Sequence, residues 1–216
     1  MMDMKTTRLL QQAYDNHAQE RDLKERNEVL PAWKSEIRRN FLQWVRSQRG
    51  YSILDLGAGT GRDCLYFKEQ RMQVTAIDFS EKMVQLCRKK GIEAHAIDFQ
   101  FLHLLRRQFD SIWAMNSLLH LAKSEMPGVL KGIRGLLKPG GLFYLGMYGG
   151  VDQEEVWEDD PYTPKRFFSF YSDDHLRKLL EIEFDIIRFE RIDTGGNFDL
   201  QSILMEKRIG NEGGKG

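Results

Sequence analysis

From Ile53 to Asp63 the chain runs as an apolar strand, Ser52–Leu56, then three glycines at Gly57, Gly59 and Gly61, then a helix over Arg62–Glu69. Glycine lets the backbone turn tightly and lets a ligand approach where a Cβ would collide. A strand that feeds such a turn and then a helix belongs in a parallel α/β sheet, so this stretch narrows the fold before anything else is read. The segments that follow keep the rhythm: strand Gln73–Ile77, helix Ser80–Lys90, strand Glu93–Ile97, a short helix at Phe101–Arg107 and strand Ser111–Met115. A helix from about Ser124 to Leu137 stops at Lys138-Pro139-Gly140-Gly141, and strand Leu142–Met147 completes five parallel strands.

The ends of the chain depart from this alternation. Up to about Gln48, apolar residues recur at helical spacing in two blocks, giving two N-terminal helices within 1–48. Near the other end, a helix at Asp173–Glu181 with Ser172 as its N-cap precedes strands Asp185–Ile192 and Phe198–Glu206. Only Asp193 to Asn197 separate those strands, too few residues for a parallel crossover, so they pair as an antiparallel hairpin. The expectation is one domain over 1–209 and an unstructured tail at 210–216. The segment 149–171 is long for a connection and is expected to be a substrate-side loop.

Composition limits the function classes. Thirty-two basic residues balance 32 acidic ones, without the excess positive charge of a general nucleic-acid binder, so no nucleic acid is expected. No apolar run approaches the roughly 20 residues of a membrane span, no signal-peptide pattern opens the chain, and neither cysteine sits in a secreted-type spacing. A cytoplasmic protein, monomer or homodimer, without a metal and without membrane contact, is the expectation.

The glycine spacing discriminates among ligands. A dinucleotide fingerprint needs its third glycine one position later, and Arg62 stands where a small helix-packing residue belongs. A P-loop would need Gly-Lys-Ser/Thr, which is absent. A nucleoside without pyrophosphate fits best. Asp78, closing the second strand, is placed to accept from both ribose hydroxyls. Asp98 with Phe99, after the third strand, is placed to bond and cover an adenine, with Phe79 over the other face.

On these residues the chain, from about Tyr14 to Lys207, resembles the class I S-adenosylmethionine-dependent methyltransferases. Asp55-x-Gly57-x-Gly59-x-Gly61 is similar to that family's first motif, with Ala58 inside it. Asp78-Phe79-Ser80-x-x-Met83 is similar to its second, Asp98-Phe99 to its adenine contact, and Leu137 to Gly141 to its junction before strand five. The resemblance implies a Rossmann-like, doubly wound seven-stranded α/β sheet of order 3-2-1-4-5-7-6 with strand 7 antiparallel. It implies S-adenosyl-L-methionine as cofactor and S-adenosyl-L-homocysteine as product. Asp55 and Gly57 then hold the methionyl part, Asp78 the ribose, and Asp98 and Phe99 the adenine; Arg62 either reaches the methionine carboxylate or is a solvated arginine at the helix start.

For the acceptor, the turn after strand four supplies Asn116, counted with the cofactor side, and His120, expected as the base. Tyr14 and His17 share a face of the first helix. Tyr14-Asp15-x-x-Ala18 is similar to the segment that closes over the cofactor in many small-molecule members, although Arg21 replaces the usual second aromatic. In 149–171, Trp157 and Phe168 with the surrounding carboxylates are expected to suit a cationic or amine acceptor. The reaction expected is in-line methyl transfer to a small molecule. A cofactor-binding regulatory protein without chemistry, and a protein or nucleic-acid methyltransferase, are the alternatives; Asn116-Ser117-Leu118-Leu119 lacks the Asn-Pro-Pro-Tyr/Phe of adenine-N6 enzymes.

Overall fold

The structure, a computed structural model, describes residues 4–208. The 210–216 stretch, expected to be an unstructured tail, lies outside the described residues.

Two helices, α1 (Met4–Asn27) and α2 (Ala32–Ser47), precede the alternating region. Then come β1 (Ser52–Leu56), α3 (Arg62–Glu69), β2 (Gln73–Asp78), α4 (Glu81–Lys89), β3 (Glu93–Ala96), a 3-10 helix over Phe99–Leu104, and β4 (Phe109–Met115). A 3-10 turn at Leu118–His120 leads to α5 (Met126–Leu136) and β5 (Leu137–Gly149). The chain ends with β6 (Gln153–Val156), β7 (Phe167–Phe170), α6 (Asp173–Leu180), β8 (Phe184–Ile192) and β9 (Asp199–Lys207).

The main sheet has the order β3-β2-β1-β4-β5-β9-β8. β1 to β5 are parallel, and β9 runs antiparallel to both β5 and β8. This is the expected 3-2-1-4-5-7-6 topology, with two added strands shifting the numbering. Those strands, β6 and β7, form a separate antiparallel pair within 149–171, where a loop was expected. Its apolar face explains it: Phe168 and Phe170 are buried, while β6 is exposed throughout. The short helix expected at Phe101–Arg107 begins earlier, because the Asp98 carboxylate accepts from the Gln100 amide and starts the turn at Phe99.

Each face of the sheet buries its own layer. Ile112, Leu130, Ile133, Phe143, Phe184 and Ile203 lie on one side, and Phe41, Phe67, Val84, Trp113 and Tyr144 on the other. Helix α1 contributes only a narrow i, i+4, i+8 stripe, Leu10, Tyr14 and Ala18, which packs on Met83, Phe79 and Tyr162 above the carboxyl ends of β1 and β2.

Candidate active site

A cleft opens at the carboxyl ends of β1, β2 and β4 under α1. Gly57 and Gly59, Asp78 and Phe79, Asp98 and Phe99, and the Met115–Ser117 turn line it, with α1 as roof. Backbone geometry builds the floor. Gly57 and Ala58 donate to the Ile77 carbonyl, which ties the loop to the end of β2. Gly57 and Gly59 both adopt left-handed φ, 72° and 55°. A Cβ on Gly57 would stand 2.4 Å from the Ser117 Cβ, so the loop and the turn after β4 touch only because position 57 is glycine.

Asp78 is fixed from behind. Its Oδ2 accepts from the Gly59 amide at 2.9 Å and its Oδ1 from the Ser80 amide at 2.9 Å. Burial pushes its carboxyl up, and those two amides oppose the shift. Both oxygens keep lone-pair capacity for a ligand. Asn116 and Ser117 are the converse: Asn116 Oδ1 and Ser117 Oγ are buried, have no hydrogen-bond partner and belong to residues on the cavity wall. Asn116 also sits at φ 51°, a conformation Asn tolerates better than most side chains.

Other expected site residues stand away from the wall. Asp55 is buried under the loop, accepting from the Cys64 thiol at 3.0 Å, and burial together with Asp63 pushes its carboxyl up to about 8. Ala58 packs with the α2/α3 layer and Met83 with the α1 stripe. A Cβ on Gly61 would meet Cys87 Sγ and Ile92 Cδ1 at 2.9 Å, so this glycine serves helix packing. The Arg62 guanidinium donates to the Glu28 carbonyl, between α1 and α2, rather than reaching the cavity. The cation on the wall is Arg21, near Gly59, held by Glu25 at 2.8 Å while Glu25 also accepts from Thr60 Oγ1.

The His120 end of the cleft has a chain of hydrogen bonds. Tyr14 and His120 both line the cavity, 2.6 Å apart between Oη and Nε2. His120 Nδ1 lies 2.7 Å from the Phe167 carbonyl, an acceptor only, so Nδ1 carries the proton. Burial drives the imidazole down to about 3, Arg166 and Arg21 pushing the same way against Phe167 and Asp160. Neutral His120 therefore presents a bare Nε2, and Tyr14 donates to it. Burial raises the Tyr14 phenol despite the two arginines, so it stays protonated. His17 instead stacks on Tyr162 and accepts from the Thr163 amide. Trp157 packs edge-on against Phe168, Phe170 and Phe198, away from the cavity wall, and Phe168 reaches the site through its contact with the His120 ring.

The sheet order and the cleft beyond its carboxyl ends define a Rossmann-like α/β fold of the kind that seats nucleoside ligands at the strand ends. Residues 53–141 match the family model described as a methyltransferase domain, in agreement with the resemblance to class I S-adenosylmethionine-dependent methyltransferases carried by the motifs. A putative methyltransferase of a Geobacillus strain is 26% identical over 140 residues, 61% of this chain and 56% of the relative. The cypemycin N-terminal methyltransferase of a Streptomyces species is 33% identical over 113 residues, 49% of this chain and 46% of the relative. The chain thus spans about half the length of these curated relatives. Among solved structures, the 1,6-didemethyltoxoflavin N1-methyltransferase of Burkholderia thailandensis, with bound 1,6-didemethyltoxoflavin and S-adenosylhomocysteine, shares the fold at TM-score 0.61 and 20% identity, over 84% of this chain and 92% of that one. Among the described residues no helix is long and apolar enough to cross a membrane, and no cluster of three potential ligands is arranged for a metal.

Proposed function

We propose that this chain binds S-adenosylmethionine in the cleft and transfers its methyl group to a small-molecule acceptor. The observation that carries the reading is Asp78: a cavity-lining carboxylate clamped by two loop amides, with spare acceptor capacity for the two hydroxyls of a ribose. Asp98, Phe99 and Phe79 supply a polar edge and flat apolar faces for the base. The unpartnered Asn116 Oδ1 and Ser117 Oγ fit the amino-acid end, since a buried polar atom left unpaired costs about 1–3 kcal/mol and a ligand donor removes that cost. Arg21, rather than Arg62, is placed for the carboxylate.

The bound cofactor supplies an electrophilic methyl on a sulfonium. The protein's part is to hold the nucleophile in line and keep water out, from which several of the roughly 7–11 kcal/mol available from orientation can come. Tyr14, backed by neutral His120, gives the nucleophile a hydrogen-bonding partner. The roof of α1 over the cleft favours a small acceptor over a polymer.

Calorimetric titration with S-adenosylmethionine and S-adenosylhomocysteine, repeated on Asp78→Ala, tests the cofactor reading; micromolar binding lost in the variant supports it, and no binding by folded wild type refutes it. Production of S-adenosylhomocysteine with an acceptor separates methyl transfer from cofactor binding without chemistry.

A further inference from the structure

Arg166 and Asp160 lie on the turn between β6 and β7, far from the glycine loop in sequence, and form an ion pair that the cofactor chemistry leaves unexplained. Arg166 Nε donates to Asp160 Oδ2 at 2.9 Å and Nη2 to Oδ1 at 2.7 Å, while the Arg166 backbone amide adds a third bond to Oδ2 at 2.8 Å. The Asp160 side chain is almost wholly buried. The guanidinium lies 3.7 Å from the centre of the Tyr162 ring, and its remaining arm, Nη1, donates to the Tyr14 hydroxyl at 3.1 Å. A bidentate pair of this kind fixes the guanidinium plane and with it the direction of the free arm.

The polarity of Tyr14 follows from its neighbours. Arginine has donors only, so the Tyr14 oxygen accepts from Arg166. His120 has its Nδ1 proton committed to the Phe167 carbonyl, so the Tyr14 proton goes to Nε2. A protonated His120 would put a second cation against the same hydroxyl. With its proton directed to His120, Tyr14 has only acceptor capacity left to show the cavity.

We infer that Asp160 and Arg166 are positioning residues that lock the Tyr14 hydroxyl as a hydrogen-bond acceptor, and that the site therefore selects a nucleophile bearing an N–H or O–H. This rests on the methyltransferase reading above. Primary or secondary amines, hydroxyls and phenols satisfy it; tertiary amines and thioethers do not, because they leave the Tyr14 lone pair without a donor. The proton inventory closes. The nucleophile's lone pair forms the new bond to the methyl carbon while the carbon–sulfur pair leaves with a now neutral thioether. A hydroxyl nucleophile passes its proton to the Tyr14 oxygen as the Tyr14 proton moves to His120 Nε2, and the imidazolium, disfavoured by burial, gives it up to water. An amine keeps the charge as the product ammonium, whose N–H donates to the Tyr14 oxygen until it leaves.

The test uses the full chain with S-adenosylhomocysteine bound, carrying 15N-histidine and 13Cζ-tyrosine, as wild type, Arg166→Lys and Asp160→Asn. In wild type the His120 signals should report a neutral Nδ1–H tautomer with a hydrogen-bonded Nε2. Both variants should shift Nε2 and the Tyr14 Cζ resonance while S-adenosylhomocysteine affinity and cooperative unfolding persist. Unchanged resonances in a folded Arg166→Lys, which keeps the charge but not the fork should Asp160→Asn fail to fold, would overturn the inference. So would turnover of N,N-dimethylbenzylamine or benzyl methyl sulfide in preference to benzylamine and benzyl alcohol. Absence of cofactor binding in wild type refutes the methyltransferase reading instead, and the resonances of the ligand-free protein still report whether the clamp orients Tyr14.

Discussion

Asp55 offers the clearest quantitative test of how the glycine loop is supported. Its carboxyl is buried beneath the loop and titrates near 8, against an ordinary value of 3.8, because burial and the nearby Asp63 charge disfavour ionisation. The folded pKa is the raised one, so the stabilising contribution is complete below pH 3.8 and is lost as pH rises through 8. Between those values the unfolded chain has released the proton and the folded chain still holds it. Stability should fall by about 1.4 kcal/mol per pH unit from this group, or roughly 4 kcal/mol between pH 5 and pH 8. Asn keeps an oxygen for the Cys64 thiol and cannot ionise. Asp55→Asn should therefore gain on wild type by roughly 4 kcal/mol between pH 5 and pH 8, whatever the substitution itself costs. Urea unfolding at each whole pH from 5 to 8 measures the difference, in which His120 and every other titrating group cancel. Parallel stability curves for the two proteins would refute the argument, because they would mean that Asp55 is ionised in the fold at neutral pH.

Three further outcomes are expected. Gly57→Ala forces a left-handed residue, about 1–2 kcal/mol, and a contact at 2.4 Å with Ser117, so both unfolding free energy and S-adenosylhomocysteine affinity should drop together; intact affinity by titration would show that the turn after β4 yields. His120, with a folded pKa depressed to about 3 from 6.5, contributes stability that is present above pH 6.5 and lost at about 1.4 kcal/mol per unit as pH falls toward 3. His120→Asn should lack that slope in acid unfolding. Trp157→Ala should cost about 2–4 kcal/mol in thermal or urea unfolding through lost packing on Phe168, Phe170 and Phe198, with cofactor affinity unchanged.

The sheet was legible because its signals are local. Short apolar runs, the Gly141 junction and the five-residue turn from Asp193 to Asn197 each dictate a connection type, while the strand order was implied by the motifs' resemblance to the methyltransferase family. The β6–β7 pair was not legible, since its buried apolar residues sit on one strand only and the other, Gln153–Val156, is exposed throughout, three polar residues and a valine. The site divides in the same way. Asp78 follows from its place at the end of a strand, whereas the roles of Arg62 and Arg21 depend on helix phase. Position 62 points toward the α1–α2 connection, and Arg21, four residues before its partner Glu25, faces the cleft. That i, i+4 pair was the one available signal. The contacts of Tyr14 with His120 and Arg166 join residues 106 and 152 positions apart, and no spacing rule reaches that far.

Those long-range contacts give α1 a double role. Its apolar stripe is too narrow to hold a helix of 24 residues by itself, so docking must come from tertiary bonds. Toward the loop, Asp22 takes Lys90 at 2.5 Å, Asp15 takes Ser80 Oγ, and Gln11 donates to the Phe79 carbonyl. Toward the hairpin, Tyr14 reaches His120 and Arg166, and Asn16 donates to the Thr163 carbonyl. One rigid element therefore roofs the cleft above Asp78 and sets the Tyr14 hydroxyl against His120 and Arg166. A ligand that fills the cleft adds contacts under α1 in the docked state alone, so its binding free energy also stabilises the Tyr14–His120 pair.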